Sequence, residues 1–150
     1  MNAAEQATSI EMVSKIATIV NLFKSEFPDT LADLNPWIKN SETEKFIDPD
    51  SLDISFHFLR RDRACNSCCI LMLIQLKRET LTQQLRAIGI ELSGHDCRGQ
   101  QWRLSTLRNW ELTGMILPTP EGSNKLKQVC HQTLKLFNAS GDRSNSPSSN

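Results

Sequence analysis

The stretch of residues 51–117 constrains the fold most, because it reads as a series of β-strands separated by turns. In its first strand Leu52, Ile54 and Phe56 alternate with polar residues, and this period of two predicts one buried and one mostly polar face. The next strand, residues 68–77, is apolar on both faces, which favours a central position covered on both sides. With the shorter strands that follow, the pattern predicts a largely antiparallel sheet of four to five strands.

Helices are predicted before and after this stretch. Residues 9–26 carry an apolar stripe at helical spacing behind a capping residue, Thr8, and residues 30–34 are expected to form a short second helix. Residues 123–137 form the last helix, capped by Ser123, and its stripe is wide enough to cover one face of the sheet. The N-terminal helices cover the other face or share the first. The predicted fold class is therefore α+β, with the C-terminal helix packed on the sheet.

The composition is that of one globular domain. The chain has 150 residues, of which 39% are hydrophobic and 23% charged, and we expect a single domain over residues 8–138. Residues 1–7 and 139–150 have little to bury and are expected to be disordered. No apolar run approaches the ~20 residues that span a membrane, and no signal peptide is evident at the N-terminus. Five cysteines without an export signal favour free thiols in a reducing cytoplasm.

Charge is unevenly distributed along the chain. Residues 1–53 hold ten acidic and four basic side chains, a net −6, whereas residues 54–113 hold nine basic and five acidic ones, a net +4. One interpretation is an acidic helical layer beside a basic sheet within one molecule. The other is a basic face for an acidic partner. The basic excess is far below the footprint of typical nucleic-acid-binding domains.

Two predicted hairpin tips carry candidate metal ligands. Cys65 and Cys68 lie in the first turn, His95 and Cys97 lie in the third, and in a meander both turns fall at the same end of the sheet. Zinc binds thiolates and imidazoles in such tips. However, His95 and Cys97 are only one residue apart, and neither tip has the glycines of a zinc knuckle. We therefore expect inert thiols and no cofactor, with zinc as the one alternative that the pattern leaves open.

The same tips hold the densest basic cluster of the chain. Its candidate binding residues are Arg60, Arg61, Arg63 and Arg98. We expect either a solvated hairpin tip or a docking edge for an acidic partner. A second candidate surface combines Trp37, Trp102 and Trp110 with neighbouring arginines for stacking on nucleic acid; the alternative is that Trp102 belongs to the core with Leu104.

Sequence signals for catalysis are weak. A redox role for Cys65 and Cys68 is disfavoured because their motif leads into a strand rather than a helix. His57 and His131 are each expected to be packed or solvated rather than to act as a base. The sequence contains no nucleophile elbow, P-loop or dinucleotide fingerprint. An enzyme is therefore the least favoured of the functions considered, and the sequence names no catalytic residue.

Several blocks of sequence carry a family resemblance. They are residues 36–39 (PWIK), 47–58 (IDPDSLDISFHF), 89–94 (GIELSG), 101–106 (QWRLST) and 125–129 (KLKQV). Together they resemble a group of small cyanobacterial proteins of unknown function, over most of residues 36–138. No activity is attached to that group, so the resemblance implies only a bacterial cytoplasm and carries over no functional residue.

The function that these observations favour is a non-catalytic interaction or regulatory domain that binds another protein. The alternative is a zinc-assisted or basic-faced nucleic-acid-binding module, and no membrane partner is expected. Salt-dependent binding to nucleic acid distinguishes the alternative from the first hypothesis.

Overall fold

The computed structural model describes residues 1–139, and its regular elements follow one another along the chain. They are α1 (Ala3–Gln6), α2 (Ile10–Glu26), β1 (Thr30–Asp33), β2 (Ser51–Asp62), β3 (Ser67–Arg78), β4 (Leu85–Asp96), β5 (Gly99–Ser105), β6 (Glu111–Gly114) and α3 (Pro120–Asn138), with short 3-10 turns at Glu44–Phe46 and Thr106–Arg108. No helix between Met1 and Ala139 is long and apolar enough to cross a bilayer.

The strands form one antiparallel sheet in sequence order, β1 to β6. The predicted α+β class, the antiparallel pairing and the C-terminal helix on the sheet are confirmed. The sheet has six strands rather than four or five. The prediction of a helix over residues 30–34 is wrong: this segment is β1, whose Ala32 lies opposite Phe56 of β2. Pairing with a strand more than twenty residues later overrides the local capping signal of Asp29.

Both long helices pack on the same face of the sheet. Phe23 of α2 stacks on Phe56 of β2 with ring centroids 3.8 Å apart, and Phe137 of α3 is fully buried. The strands contribute the alternate residues that point toward these helices, namely Leu52, Ile54, Phe56, Ile70, Met72, Ile74, Ile90, Leu92, Trp102 and Leu104. The alternation in the sequence therefore predicted the buried face of β2 correctly.

The helix starts differ from the predicted ones by a few residues. Ser9 rather than Thr8 caps α2, and its Oγ accepts a hydrogen bond from the Met12 backbone N–H at 3.1 Å. Thr119 rather than Ser123 caps α3, where its Oγ1 accepts from the Gly122 N–H at 3.1 Å. Pro120 then occupies the first helical position, which lacks an intrahelical partner for its N–H in any case.

The two chain ends were expected to be disordered. At the N-terminus the structure instead places Ala3–Gln6 in a short helix, with Ala3 buried and Asn2 hydrogen-bonded to the backbone of Trp37. Specific contacts with a loop 35 residues away hold this segment. At the C-terminus, residues 140–150 of the expected tail lie outside the described residues.

The second face of the sheet is not covered by a helix of residues 1–139. The expectation that residues 68–77 are covered on both faces holds only in part, because the segment with Trp37 and Ile47 reaches only the Leu73 end of the second face. Ile70, Met72 and Ile74 are buried under the helices, but Leu71 and Leu73 are half-buried on the other side of β3. The apolar run of β3 therefore contains two sets of side chains. One set faces the helices, and the other is partly exposed on the opposite face. We call the side away from α2 and α3 the open face.

Candidate functional site: the open face of the sheet

Three rows of side chains cross the open face, and the strand register defines them. The first row runs His57, Cys69, His95 across β2, β3 and β4. The second runs Asp33, Ser55, Leu71, Ser93, Arg103, Thr113 from β1 to β6. The third runs Asp53, Leu73, Glu91, Ser105, Glu111 from β2 to β6. Directly opposite residues on adjacent strands have Cβ atoms about 4.5–5.5 Å apart, so each row is a line of contacting side chains.

The histidine row is built from two matching Ser–His contacts. Ser55 Oγ lies 3.0 Å from His57 Nε2, and Ser93 Oγ lies 2.8 Å from His95 Nε2. Each pair sits two residues apart on one strand, which puts both side chains on the same face. Cys69 lies between the two imidazoles. The row therefore has one Ser–His contact on each side of the Cys69 thiol.

Burial shifts the pKa values of two groups in this row, His95 and Cys69. Burial lowers the pKa of the His95 imidazole, because desolvation penalises its charged form. Burial raises the pKa of the Cys69 thiol to about 11, and the charges of Asp33 and Cys68 act in the same direction. Cys69 is thus a protonated thiol at neutral pH, a poor nucleophile and a poor metal ligand without proton loss.

The four candidate zinc ligands are not brought together. Cys65 is buried in the helix-covered core, where burial raises the pKa of its thiol, whereas His95 faces the open side opposite Cys69. Cys68 and Cys97 are exposed. Among residues 1–139, no three His, Cys, Asp or Glu side chains form a group that could hold a metal ion.

The arginine tip, which we define as Arg60, Arg61, Arg63 and Arg98, lies where the two turns meet. Arg61 Nη1 is 3.0 Å from Asp96 Oδ2, and Arg98 Nη2 is 2.8 Å from the same oxygen. The Arg61 bond joins the end of β2 to the β4–β5 turn, in agreement with the meander, whereas the Arg98 bond lies within that turn. The Arg98 side chain and backbone N–H, followed by Arg61, hold the pKa of Asp96 well below its usual range. One carboxylate thus binds two of the four arginines, while Arg60 and Arg63 are exposed.

The three tryptophans do not form one stacking surface. Trp102 is fully buried, which confirms the interpretation of this residue as core. Its indole N–H donates to the Cys65 carbonyl at 2.6 Å. Trp110 stacks on His131 of α3 with ring centroids 4.2 Å apart. Trp37 alone of the three reaches the open face.

Trp37 forms a wall of an apolar cleft that sequence reasoning missed. This Trp37 cleft has a volume of about 380 Å³, and Trp37, Ile47, Leu73 and Asp53 are among its lining residues. The indole N–H donates to Asp53 Oδ2 at 2.5 Å, and the Trp37 backbone exchanges hydrogen bonds of 2.9 and 3.1 Å with the Asn2 side chain. The only sequence signal was a charged residue, Asp53, between serines on the polar face of a strand.

A second cleft adjoins the first along the open face. It has a volume of about 180 Å³, and it shares Asp48, Ser51 and Leu73 with the Trp37 cleft. Glu91 and Leu107 close its far side. We call it the acidic cleft, because its lining includes two carboxylates and no basic side chain. Arg103 approaches Glu91 only at 3.6 Å.

Two exposed leucines extend the open face toward the β1 edge. Leu31 lies opposite His57 and is 58% exposed, and Leu59, two residues beyond His57, is 68% exposed. In contrast, Ser55, Ser93 and Ser105 are small enough to be almost completely covered by their neighbours. The open face therefore carries exposed leucine side chains at its β1 end and buried serine side chains between the longer residues of its centre.

The molecule is an α+β domain in which both long helices pack on one face of a six-stranded antiparallel sheet. The other face carries both polar and apolar side chains. The chain belongs to a family whose model is described only as a domain of unknown function and matches residues 4–139. No curated protein and no solved structure matches it. The family assignment covers the whole sheet and both long helices, but it names no activity.

Proposed function

We propose that this protein is a non-catalytic interaction domain that binds another protein on the open face of its sheet. The observation that carries the proposal is the partly exposed apolar surface there. Leu31 and Leu59 are exposed, and Leu71 and Leu73 are half-buried in the centre. Apolar surface gathered on one face of a small domain is typical of a docking site rather than of a solvated face.

The distribution of polar groups also supports docking. Protein interfaces combine an apolar centre with a polar rim. Here Leu71 and Leu73 lie in the middle of the sheet, while Asp33 and Glu111 lie near its edges. At the arginine tip of the sheet, Arg60 and Arg63 are exposed and can pair with acidic side chains of the partner. This agrees with the docking edge for an acidic partner that the basic cluster suggested.

The alternative of a nucleic-acid-binding module has less support. Stacking platforms need exposed aromatic rings beside a basic groove. Trp102 is in the core, and Asp96 binds Arg61 and Arg98. We also propose a reducing bacterial cytoplasm as the location, because all five cysteines are free and the sequence resembles cyanobacterial proteins.

A matched set of leucine variants tests the docking face. The full-length chain is used as bait in extract of the source organism, and captured proteins are quantified by mass spectrometry. Leu31→Asp and Leu59→Asp are expected to release the specific partner, because each places a charge in the interface. Leu81→Asp is the control, since Leu81 is 96% exposed in the β3–β4 turn, away from the open face.

Circular dichroism and thermal melts verify that the three variants stay folded. The proposal fails if every captured protein binds wild type, Leu31→Asp and Leu59→Asp equally. It also fails if the control reduces capture as much as the open-face variants do.

A further inference from the structure

We propose that the Trp37 cleft and the acidic cleft together bind one short segment of the partner, with an apolar side chain in the first and a lysine or arginine in the second. This inference rests on the proposed function and specifies the chemistry that the open face selects. The two clefts share Asp48, Ser51 and Leu73, so a single segment passes from one to the other.

The Trp37 cleft, which is the apolar half of the site, is already formed before the partner binds. Trp37 is held by its indole bond to Asp53 and by two backbone bonds to Asn2, so the wall of the cleft is fixed before binding. Met1, Ile47 and Leu73 supply the other apolar surfaces, and the ammonium group of Met1 is paired with Asp53 Oδ2 at 2.9 Å. A cleft of about 380 Å³ is at the small end of ligand sites, which suits one large side chain better than an extended molecule. A fixed wall also reduces the entropy lost on binding.

The preference of the acidic cleft for a lysine or arginine of the partner follows from charge complementarity. Asp48 and Glu91 line the acidic cleft without a basic side chain in the same lining. Glu91 is only partly neutralised, because Arg103 stays 3.6 Å away and both side chains are partly exposed. A partner cation placed between these carboxylates gains a charge-assisted contact, and Ser51, Gln75 and Ser105 offer oxygen acceptors around it.

The spacing of the two halves sets a sequence pattern. In an extended segment, residues i and i+2 point to the same side and lie roughly 7 Å apart. We infer that two clefts sharing Asp48, Ser51 and Leu73 take residues i and i+2 of one segment. The expected pattern is therefore an apolar residue with a lysine or arginine two positions away.

Random peptides displayed on phage provide the probe, panned against the immobilised full-length protein. Enriched peptides are expected to carry the apolar-x-basic pattern. They are then synthesised, and their affinities are measured for wild type and variants. Ile47→Ser and the double variant Asp48→Asn/Glu91→Gln are each expected to weaken binding by about tenfold or more. The double variant is also expected to lose most of the salt dependence of binding.

Two control variants come from the segment between β1 and β2, which also carries Ile47 and Asp48. Ile38→Ser changes an isoleucine that is 77% exposed and does not line either cleft, and Glu42→Gln removes an exposed carboxylate outside them. Both are expected to bind the peptides like wild type. The inference is overturned if panning enriches no peptide, if the enriched peptides lack a basic residue, or if the cleft variants bind as tightly as the controls.

The same variants separate this inference from the proposed function. If Leu59→Asp releases the natural partner but Ile47→Ser leaves both partner and peptides bound, the open face docks a protein and the cleft assignment is wrong. If the peptides need the clefts while the natural partner ignores Leu31→Asp and Leu59→Asp, the cleft binds peptides and the proposed docking face is wrong. An apolar amine that binds the clefts when no peptide does indicates a small-molecule site and also overturns the inference.

Discussion

Gly94 of β4 is expected to be a position where a single methyl group is strongly destabilising. It lies opposite Trp102 of β5, and the indole occupies the space where a side chain at residue 94 would stand. A Cβ built there falls well inside 3.0 Å of the Trp102 ring and of Ser67 Oγ. The indole is trapped, because its N–H donates to the Cys65 carbonyl at 2.6 Å and to Ser67 Oγ at 2.9 Å.

The magnitude for Gly94→Ala has two parts. Overpacking of a well-filled core costs about 1–3 kcal/mol. Displacement of the indole also breaks buried hydrogen bonds, at about 1–3 kcal/mol. We therefore expect the free energy of unfolding to fall by about 2–6 kcal/mol, a large share of the roughly 5–15 kcal/mol that stabilises a typical domain. Urea denaturation followed by circular dichroism measures this as a lower midpoint at unchanged slope.

A double-mutant cycle with Trp102→Phe tests whether the indole is the cause. The phenyl ring lacks the indole nitrogen and is smaller, so Gly94→Ala is expected to destabilise the Trp102→Phe background less, with a coupling energy of about 1 kcal/mol or more. A loss below about 1 kcal/mol in the wild-type background refutes the reasoning. Equal losses in both backgrounds refute it too.

Four further predictions concern the rest of the molecule. Phe137→Ala is expected to destabilise the protein by about 3–5 kcal/mol in urea denaturation, because its ring is fully buried; a loss below about 1 kcal/mol means that α3 is not part of the core. The amides of β3 around Met72 are expected to exchange hydrogen among the slowest in the protein, and fast exchange contradicts a central strand. His95 has a lowered pKa in the folded state, so the unfolded chain binds its proton more readily, and stability is expected to fall as pH drops below 6.5; His95→Gln should flatten that slope, and equal slopes contradict the assignment. A chelator is expected to leave the melting temperature unchanged, because Cys65 is in the core while His95 faces the open side; a structural zinc contributes about 10–16 kcal/mol in small metal-folded peptides, so a large drop contradicts this.

The elements predicted correctly from the sequence are those with a strong local period. The alternation of Leu52, Ile54 and Phe56 predicted which face of β2 packs in the core, and all three side chains are fully buried. The stripe of α3 gave Leu126 and Phe137, which are buried as well. Period and burial are linked by geometry alone, so these assignments need no knowledge of distant contacts.

The errors arise where a distant segment decides the local structure. β1 has four residues, too few for a clear period, and its conformation depends on pairing with residues 55–58. The Trp37 cleft depends on a bond between residues 16 positions apart. At the turns, the shared end was predicted and the Arg61–Asp96 bond agrees with it, but the thiol facing His95 belongs to Cys69 rather than Cys68. A shift of one residue moves a strand side chain to the opposite face, and no local pattern fixes that choice in a run that is apolar throughout.

The shape of the sheet itself argues for recognition by its face rather than by its edges. Its two edge strands, β1 and β6, have four residues each, whereas β2, β3 and β4 have twelve. Short edges offer few unpaired backbone groups, which is how sheet proteins avoid association through added strands. The long central strands, in contrast, present Leu71 and Leu73 on a side that no helix of the described residues covers. In the proposed function, the partner therefore binds side chains of this face rather than a free strand edge, and the clefts beside Leu73 select its sequence.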